Sequence, residues 1–93
     1  MRLTELEKLY RLLAGQKRLE ILKLLNQEKE MSVGDIAAHI HLSFKSTSKH
    51  LLLLRQGGLL ERRQSRFVAL YRLSAELPPH IAQQLKLINR SNR

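Results

Sequence analysis

The side chains of this chain that can do chemistry lie near its middle, and they are hydrogen-bond donors and cations. A short polar stretch carries two lysines and two serines: Lys45, Ser46, Ser48 and Lys49. In the major groove of DNA, lysine can donate to guanine O6 and N7, and a serine hydroxyl can contact either type of base pair. The first residues of a helix also hold phosphate through free N–H groups, which suits Ser43 and Phe44. The alternative is an ordinary surface helix with two lysines.

A second basic group lies further along the chain, around Gln64-Ser65-Arg66, a predicted tight turn between two strands. Its members are Arg62, Arg63 and Arg66. A basic hairpin tip beside a groove-reading helix can reach the adjacent minor groove or its phosphates, and Arg63 and Arg66 are the best candidates. The alternative is a solvated hairpin whose arginines keep the protein in solution. Alternation along the second strand places Phe67 and Tyr71 in the core rather than in stacks on bases.

The positive charge of the chain is concentrated on this segment. The formal net charge is +9, and residues 36–75 hold seven basic residues against one acidic residue, Glu61. Clustered positive charge on a recognition unit indicates a polyanionic partner, double-stranded DNA in this case. The alternative is a generally basic surface without a specific partner.

The composition argues against several other classes of protein. Cysteine is absent, so there is no disulfide, thiolate nucleophile or cysteine metal ligand. No nucleophile–base set and no glycine-rich phosphate loop is present, which argues against an enzyme and against a cofactor. No apolar run approaches the length of a membrane span, and the N-terminus lacks a signal-peptide core. We expect a cytoplasmic protein without membrane contact.

The four histidines do not form a metal site in this pattern. His39 and His41 are two residues apart, so one helical face cannot present both, and His80 is the only histidine of the predicted last helix. A zinc site needs four ligands, and one histidine is too few. These histidines are better interpreted as surface, core or phosphate-adjacent groups.

Two helices are predicted before the recognition unit. Helical spacing predicts an amphipathic helix over Thr4–Ala14, with its apolar stripe formed by Leu3, Leu6, Leu9, Tyr10 and Leu13. Gly15 is a predicted break. The helix Gln16–Gln27 is apolar around much of its circumference and should be central to the core, with Leu19, Ile21, Leu22, Leu24 and Leu25. Residues 27–30 are predicted to be a charged connection.

A helix, a short turn and a second helix follow. Ser32 and Asp35 have the spacing of an N-cap and its partner in a capping box, and this helix should end near Ile40, burying Val33, Ile36, Ala37 and Ile40. Residues 41–43 form the turn, and Ser43 caps the next helix, which runs to Gln56 before Gly57 at C′. Its core face comprises Thr47, Leu51 and Leu54. Leu52 and Leu53 fit no simple face, and three alternatives stay open: cover by the hairpin, cover by a partner subunit, or exposure.

The C-terminal part predicts two strands and a last helix. The strands are Leu59–Arg63 and Phe67–Leu73, and the helix is His80–Asn89, with one stripe of Ile81, Leu85 and Ile88. The fold class is therefore mainly α with a small β-hairpin (α+β): one winged helix-turn-helix domain over residues 1–93, with about five helices and a two-stranded wing.

Several segments together resemble the ArsR family of bacterial and archaeal winged-helix repressors. They are KRLEILKLL (17–25), SVGDIAAHIHLS (32–43), STSKHLLLL (46–54), GLLERR (58–63) and YRLS (71–74). The resemblance covers nearly the whole chain. It implies that base contacts come from Phe44, Lys45, Ser46, Ser48 and Lys49, with His50 packed or near the DNA backbone. A polar residue is common in the family where this chain has Phe44, which suggests contact with a thymine methyl or simple packing.

The resemblance also bears on assembly and on the effector. It implies that the terminal helices, residues 3–14 and 80–89, pair across a two-fold axis in a homodimer. A chain this short buries only about 60–65% of the surface that its unfolded form exposes, so such apolar stripes need a partner. Many family members sense metals through cysteines, which are absent here, and others use an Asp/His set on the last helix, where this chain offers only His80. We expect no metal site and leave the effector unassigned.

Two main hypotheses for the function remain, with metal sensing as a minor third. The leading hypothesis is a dimeric, sequence-specific DNA-binding transcriptional regulator, a repressor that binds an inverted-repeat operator. The alternative is a winged-helix protein-interaction module that does not bind DNA sequence-specifically and engages another protein through its exposed leucines. An acidic recognition helix would favour the alternative, and this helix is basic.

Overall fold

A computed structural model describes residues 3–77, 79 and 81–83 of the chain. Within residues 3–77, three α-helices and three β-strands follow one another: α1 (Leu3–Glu28), β1 (Glu30–Ser32), α2 (Val33–Ile40), α3 (Phe44–Gln56), β2 (Leu60–Gln64) and β3 (Ala69–Leu73). Residues 79 and 81–83 are helical, and the rest of the predicted helix His80–Asn89 lies outside the described residues. The mainly helical winged fold is confirmed, with three differences in its elements.

The first difference is that α1 is one continuous helix of 26 residues. The predicted break at Gly15 is wrong. A glycine in a helix interior costs only about 1 kcal/mol, and the neighbouring leucine, alanine, lysine and arginine residues are strong helix formers. The C-terminal half of the helix is central to the core, as predicted, through Ile21, Leu22 and Leu25, whereas Leu19 is exposed.

The second difference is strand β1, which lies within and just after the predicted charged connection. Lys29 adopts a left-handed conformation (φ 75°) directly after α1, and its N–H donates to the carbonyl of Leu25 at 3.0 Å. The chain then pairs with β3, with Met31 opposite Tyr71. The wing is therefore part of a three-stranded antiparallel sheet in the order β1-β3-β2. A strand of three residues is too short to show the alternation of apolar and polar side chains from which strands are predicted.

The hairpin of β2 and β3 is shifted relative to its prediction. Gln64 pairs with Ala69, so the strands close around a loop of residues 65–68, in which the N–H of Ser65 donates to the carbonyl of Val68 at 2.9 Å. Phe67 lies in this loop and is 89% exposed, so its predicted place in the core is wrong. The alternation fails because Phe67 precedes the strand. Tyr71 is buried, as predicted.

The core lies between the three helices and one face of the sheet. Its fully buried side chains are Ile21, Leu25, Ile36, Leu51 and Thr47. The predicted inner faces of α2 (Val33, Ile36, Ala37 and Ile40) and of α3 (Thr47, Leu51 and Leu54) are all buried. This packing holds α3 against the domain by one side and leaves its opposite side to solvent. No helix in the described part of the chain is long and apolar enough to cross a membrane.

Candidate nucleic-acid interface

Both ends of α2 are fixed by side chains and backbone. The hydroxyl of Ser32 accepts a hydrogen bond from the N–H of Asp35 at 3.2 Å, which confirms Ser32 as the N-cap. At the other end His41 adopts the left-handed conformation (φ 57°), and the N–H of Leu42 donates to the carbonyl of Ala37 at 3.1 Å. The turn of residues 41–43 therefore leaves α2 in a defined direction, which sets the angle at which α3 begins.

Helix α1 also holds the end of α2. The ammonium group of Lys17 donates to the carbonyl oxygen of Ile40 at 2.7 Å and lies 3.4 Å from the carboxylate of Glu20. A cation at a helix C-terminus satisfies a carbonyl that has no partner in its own helix and interacts favourably with the helix dipole. This contact connects the long helix directly to the helix-turn-helix.

Helix α3 has a well-formed cap at each end. The hydroxyl of Ser43 accepts a hydrogen bond from the N–H of Ser46 at 3.0 Å, which confirms Ser43 as the N-cap. At the C-terminus the N–H of Gly58 donates to the carbonyl of Arg55, and that of Leu59 donates to the carbonyl of Leu54. This is a Schellman motif, with Gly58 (φ 81°) at C′. The prediction of Gly57 at C′ is therefore wrong by one residue.

The exposed side of α3 carries the predicted contact residues. Phe44, Lys45, Ser46 and Lys49 are exposed, whereas Ser48 and His50 are half-buried. The N-terminal half of the helix thus presents short polar side chains and two ammonium groups to solvent. Leu52 and Leu53 are exposed as well, so the hairpin covers neither of them.

His50 packs toward α1 rather than standing free on α3. The Nε of Arg18 donates to the His50 Nδ1 at 3.4 Å. Partial burial, with added repulsion from Arg18 and Lys49, lowers the pKa of His50 below its ordinary value of 6.5. The imidazole is therefore neutral at neutral pH and accepts a hydrogen bond. Arg18 is a neighbour that the sequence pattern of α3 did not reveal.

The three arginines of the wing have different surroundings. Arg62 lies on the same face of the sheet as Tyr71, its partner in the register, and donates to the Gln64 side chain at 2.8 Å. Arg66 is exposed in the loop. Arg62 therefore lies within β2, two residues before the end of the strand, and Arg66 lies in the loop itself. Phe67 and Val68 of this loop line one cleft together with Phe44 of α3.

Arg63 lies on the other face of the sheet and is paired with an acid. Its Nη2 and Nε donate to the two carboxylate oxygens of Glu30 at 2.7 and 3.3 Å. Hydrogen bonding by Arg63 lowers the pKa of Glu30, and Glu30 in turn raises the pKa of Arg63. On the same face Arg72 donates to Glu61 at 3.0 Å. Glu30 was not predicted as a partner of Arg63 because its strand, β1, was not predicted.

The structure describes the side chains of only two of the predicted dimerisation residues, Leu3 and Ile81. Leu3 is 71% exposed, and Ile81 is half-buried against the core cluster. The side chains of Leu6, Leu9, Tyr10 and Leu13, and the whole of Leu85 and Ile88, lie outside the described residues. Within the described residues no three histidine, aspartate or glutamate side chains are close enough to hold a metal ion. His80 lies outside them.

These elements define the class of protein. Helix α2, the turn and α3 form a helix-turn-helix, and the β2–β3 hairpin packs beside α3 as a wing, which makes the fold a winged helix-turn-helix. The chain belongs to the arsR family of bacterial regulatory proteins, whose family pattern matches residues 15–62.

Two curated proteins and one solved structure illustrate this relationship. The chain is 40% identical over 76 residues to the arsenical resistance operon repressor of Escherichia coli K12, covering 81% of this chain but only 64% of the repressor. It is 35% identical over 82 residues to the transcriptional activator HlyU of Vibrio cholerae, covering 81% of this chain and 75% of HlyU. It also resembles a homodimeric winged helix-turn-helix DNA-binding domain from Mycobacterium bovis, a possible ArsR-family regulator, with a TM-score of 0.67 and 29% identity. This match covers 97% of this chain and 80% of the Mycobacterium bovis chain.

Proposed function

We propose that this protein is a sequence-specific DNA-binding transcriptional regulator that acts as a homodimer. The observation that carries the proposal is the exposed, cationic N-terminal half of α3. Arg62 and Arg66 are exposed on the wing, whose loop lines one cleft together with Phe44 of α3. A helix with this surface fits the major groove, and a basic wing reaches the flanking backbone. The protein acts in the cytoplasm by binding and not by catalysis.

The residues divide into two roles on DNA. Phe44, Lys45, Ser46, Ser48 and Lys49 enter the major groove and contact base edges. The N-cap residue Ser43 lies near a phosphate, and Arg62, Arg63 and Arg66 of the wing interact with backbone phosphates or the minor groove. Because Arg63 is already paired with Glu30, we assign it a smaller share of binding than Arg66. His50 supports α3 through its packing with Arg18 and lies close to the DNA backbone.

The geometry of DNA and one homodimeric relative support the proposed dimer. Two α3 helices in successive major grooves must be about 34 Å apart, so a two-fold dimer reads an inverted repeat. The structure from Mycobacterium bovis is described as homodimeric, and Leu3 at the start of α1 is exposed here. We propose that α1, from Leu3 to Leu13, and the last helix, through Ile81, Leu85 and Ile88, form the interface.

The regulator acts as a repressor in this proposal. The E. coli relative is named a repressor and the Vibrio relative an activator, so the relatives include both kinds of regulator. Repression needs only that the dimer occupy a promoter, and the 93 residues provide a DNA-binding surface for that purpose.

Selection from a random duplex library, followed by sequencing of the bound fraction, tests this function. We expect enrichment of an inverted repeat whose half-sites are one helical turn apart. Lys49→Ala and Arg66→Ala should each bind the enriched duplex more weakly and with a smaller dependence on salt. A Lys23→Ala variant, which removes a cation from α1 instead, is the matched control. Binding at low salt without enrichment of any sequence would overturn the proposal and favour the protein-interaction module.

A further inference from the structure

Both phenylalanines of the chain are exposed, and they flank the same cleft. Phe44 is 63% exposed at the first turn of α3, and Phe67 is 89% exposed in the loop of the wing. Between them lies a cleft of about 330 Å³, which the first residues of α2 also line. The cleft therefore joins three elements: α2, the head of α3 and the tip of the wing.

The lining of this cleft is apolar. It includes Phe44, Phe67, Val68 and Val33, together with the small residues Ser32 and Gly34, and none of the described residues that line it carries a charge. Exposed apolar surface of this kind on a single chain marks a site of interaction, since its burial against a partner is favourable. The occupant must present an apolar surface of its own.

The surface beside the cleft is cationic on α3 and on the wing, whereas on the α2 side the exposed Asp35 follows the lining residue Gly34. Lys45 follows Phe44, Arg66 precedes Phe67, and both are exposed. A DNA strand matches this pattern, because its phosphates alternate with deoxyribose rings, and thymine adds an apolar 5-methyl group in the major groove. The cleft is also continuous with the proposed interface, since it lies between the helix that enters the major groove and the wing beside it.

We propose that this cleft, which we name the aromatic clasp, receives one DNA strand. Phe44 packs against a thymine 5-methyl group in the major groove, and Phe67 packs against deoxyribose where the strand turns toward the minor groove. This inference rests on the proposed function and extends it. It assigns a thymine preference in each half-site to an apolar contact, without a hydrogen bond to the base.

Variants of the two phenylalanines test the clasp. Phe44→Ala and Phe67→Ala are compared with wild type on the duplex that wild type enriches, by fluorescence anisotropy at several salt concentrations. Loss of an apolar contact should weaken binding by roughly tenfold with an unchanged salt slope, because no cation is removed. Leu53→Ala, which truncates another exposed apolar side chain of α3 away from the cleft, should bind like wild type. Circular dichroism should show equal folding, since both phenylalanines are exposed.

Replacement of thymine by uracil in the same duplex tests the methyl contact directly. This change removes only the 5-methyl group. At one position of each half-site we expect it to weaken wild-type binding severalfold and to leave Phe44→Ala unaffected. Equal sensitivity of the two proteins at every position would overturn the role of Phe44.

The outcomes separate failure of the clasp from failure of the proposed function. If wild type binds its enriched duplex tightly and both phenylalanine variants bind equally well, the clasp is wrong and the function stands. If Phe67→Ala lowers the salt slope, Phe67 acts through Arg66, and the apolar contact with the sugar is wrong. If wild type enriches no sequence, both proposals fall together.

Discussion

Arg63 of β2 and Glu30 of β1 form a two-point ion pair across the intervening strand β3, with Nη2 and Oε1 2.7 Å apart. The pair connects the wing to the strand that precedes the helix-turn-helix. It also occupies a guanidinium group that the sequence alone assigned to DNA. The charge available to a phosphate therefore depends on an acid 33 residues earlier in the chain.

Release of Arg63 should strengthen DNA binding. Glu30→Gln removes a negative charge and frees the guanidinium group, so we expect higher affinity and a salt slope steeper by about one unit. Glu61→Gln is the matched control, because it frees Arg72 on the same face at the end of the sheet away from the loop. Anisotropy titrations at several salt concentrations measure both. Equal slopes for wild type and Glu30→Gln would show that Arg63 does not reach DNA even when it is free.

Two glycines should respond to alanine in opposite directions. Gly15 lies in the interior of α1, and no neighbouring atom lies within 4 Å of the position that an alanine methyl group would take. Gly15→Ala should therefore raise the free energy of unfolding by about 0.5–1 kcal/mol. Gly58 has a φ of 81° at the end of α3, where an alanine costs roughly 1–2 kcal/mol. Urea unfolding of the two variants measures both effects. A destabilised Gly15→Ala would contradict a continuous α1.

Replacement of Thr47 by valine should stabilise the protein. The side chain is fully buried, and its hydroxyl has no hydrogen-bond partner among the described residues. A buried hydroxyl without a partner costs about 1–3 kcal/mol, so Thr47→Val should raise the free energy of unfolding by about 1 kcal/mol. Thr47→Ser is the control, because it keeps the hydroxyl and loses a methyl group, and it should be destabilised by about 1 kcal/mol. Destabilisation by valine would indicate that the hydroxyl has a partner in the folded protein.

His50 should make stability depend on pH in the mildly acidic range. Its pKa in the folded protein lies below 6.5 because of burial and the nearby Arg18 and Lys49. As pH falls below 6.5, the unfolded chain therefore binds more protons than the folded protein, and the free energy of unfolding decreases. His50→Gln should lose this component, and Arg18→Gln should reduce it. Urea unfolding at about pH 7.5 and 5.5 measures the difference. Equal losses in wild type and His50→Gln would exclude this residue as the cause.

The recognition unit could be predicted from sequence because its signals are local. Ser32 and Ser43 are caps whose partners lie three residues away, and the core face of α3 follows helical spacing from Thr47 to Leu54. The family resemblance added the expected role of each exposed position. Such features depend on near neighbours in the chain, which a sequence displays directly.

The features that the sequence did not reveal depend on distant partners. β1 exists because β3 supplies its hydrogen bonds, and the pairing of Arg63 with Glu30 exists only because β1 does. Phe67 precedes its strand by two residues, so alternation placed it in the core although the loop exposes it. Gly15 looked like a break because a single glycine carries the same local signal inside a helix as at its end.

In the proposed dimer, the uninterrupted α1 would connect the interface between the two copies to the helix-turn-helix. A helix of 26 residues is about 39 Å long. In its C-terminal half Lys17 donates a hydrogen bond to the carbonyl of Ile40 in α2, and Leu3 lies at its N-terminus. A tilt imposed at one end of a rigid rod of this length displaces the other end by roughly 0.7 Å per degree. In the proposed dimer, a small change in the angle between the two copies would therefore change the distance between their two α3 helices. When one α3 helix is seated in its half-site, such a change would alter how well the other α3 helix fits the second half-site of the operator.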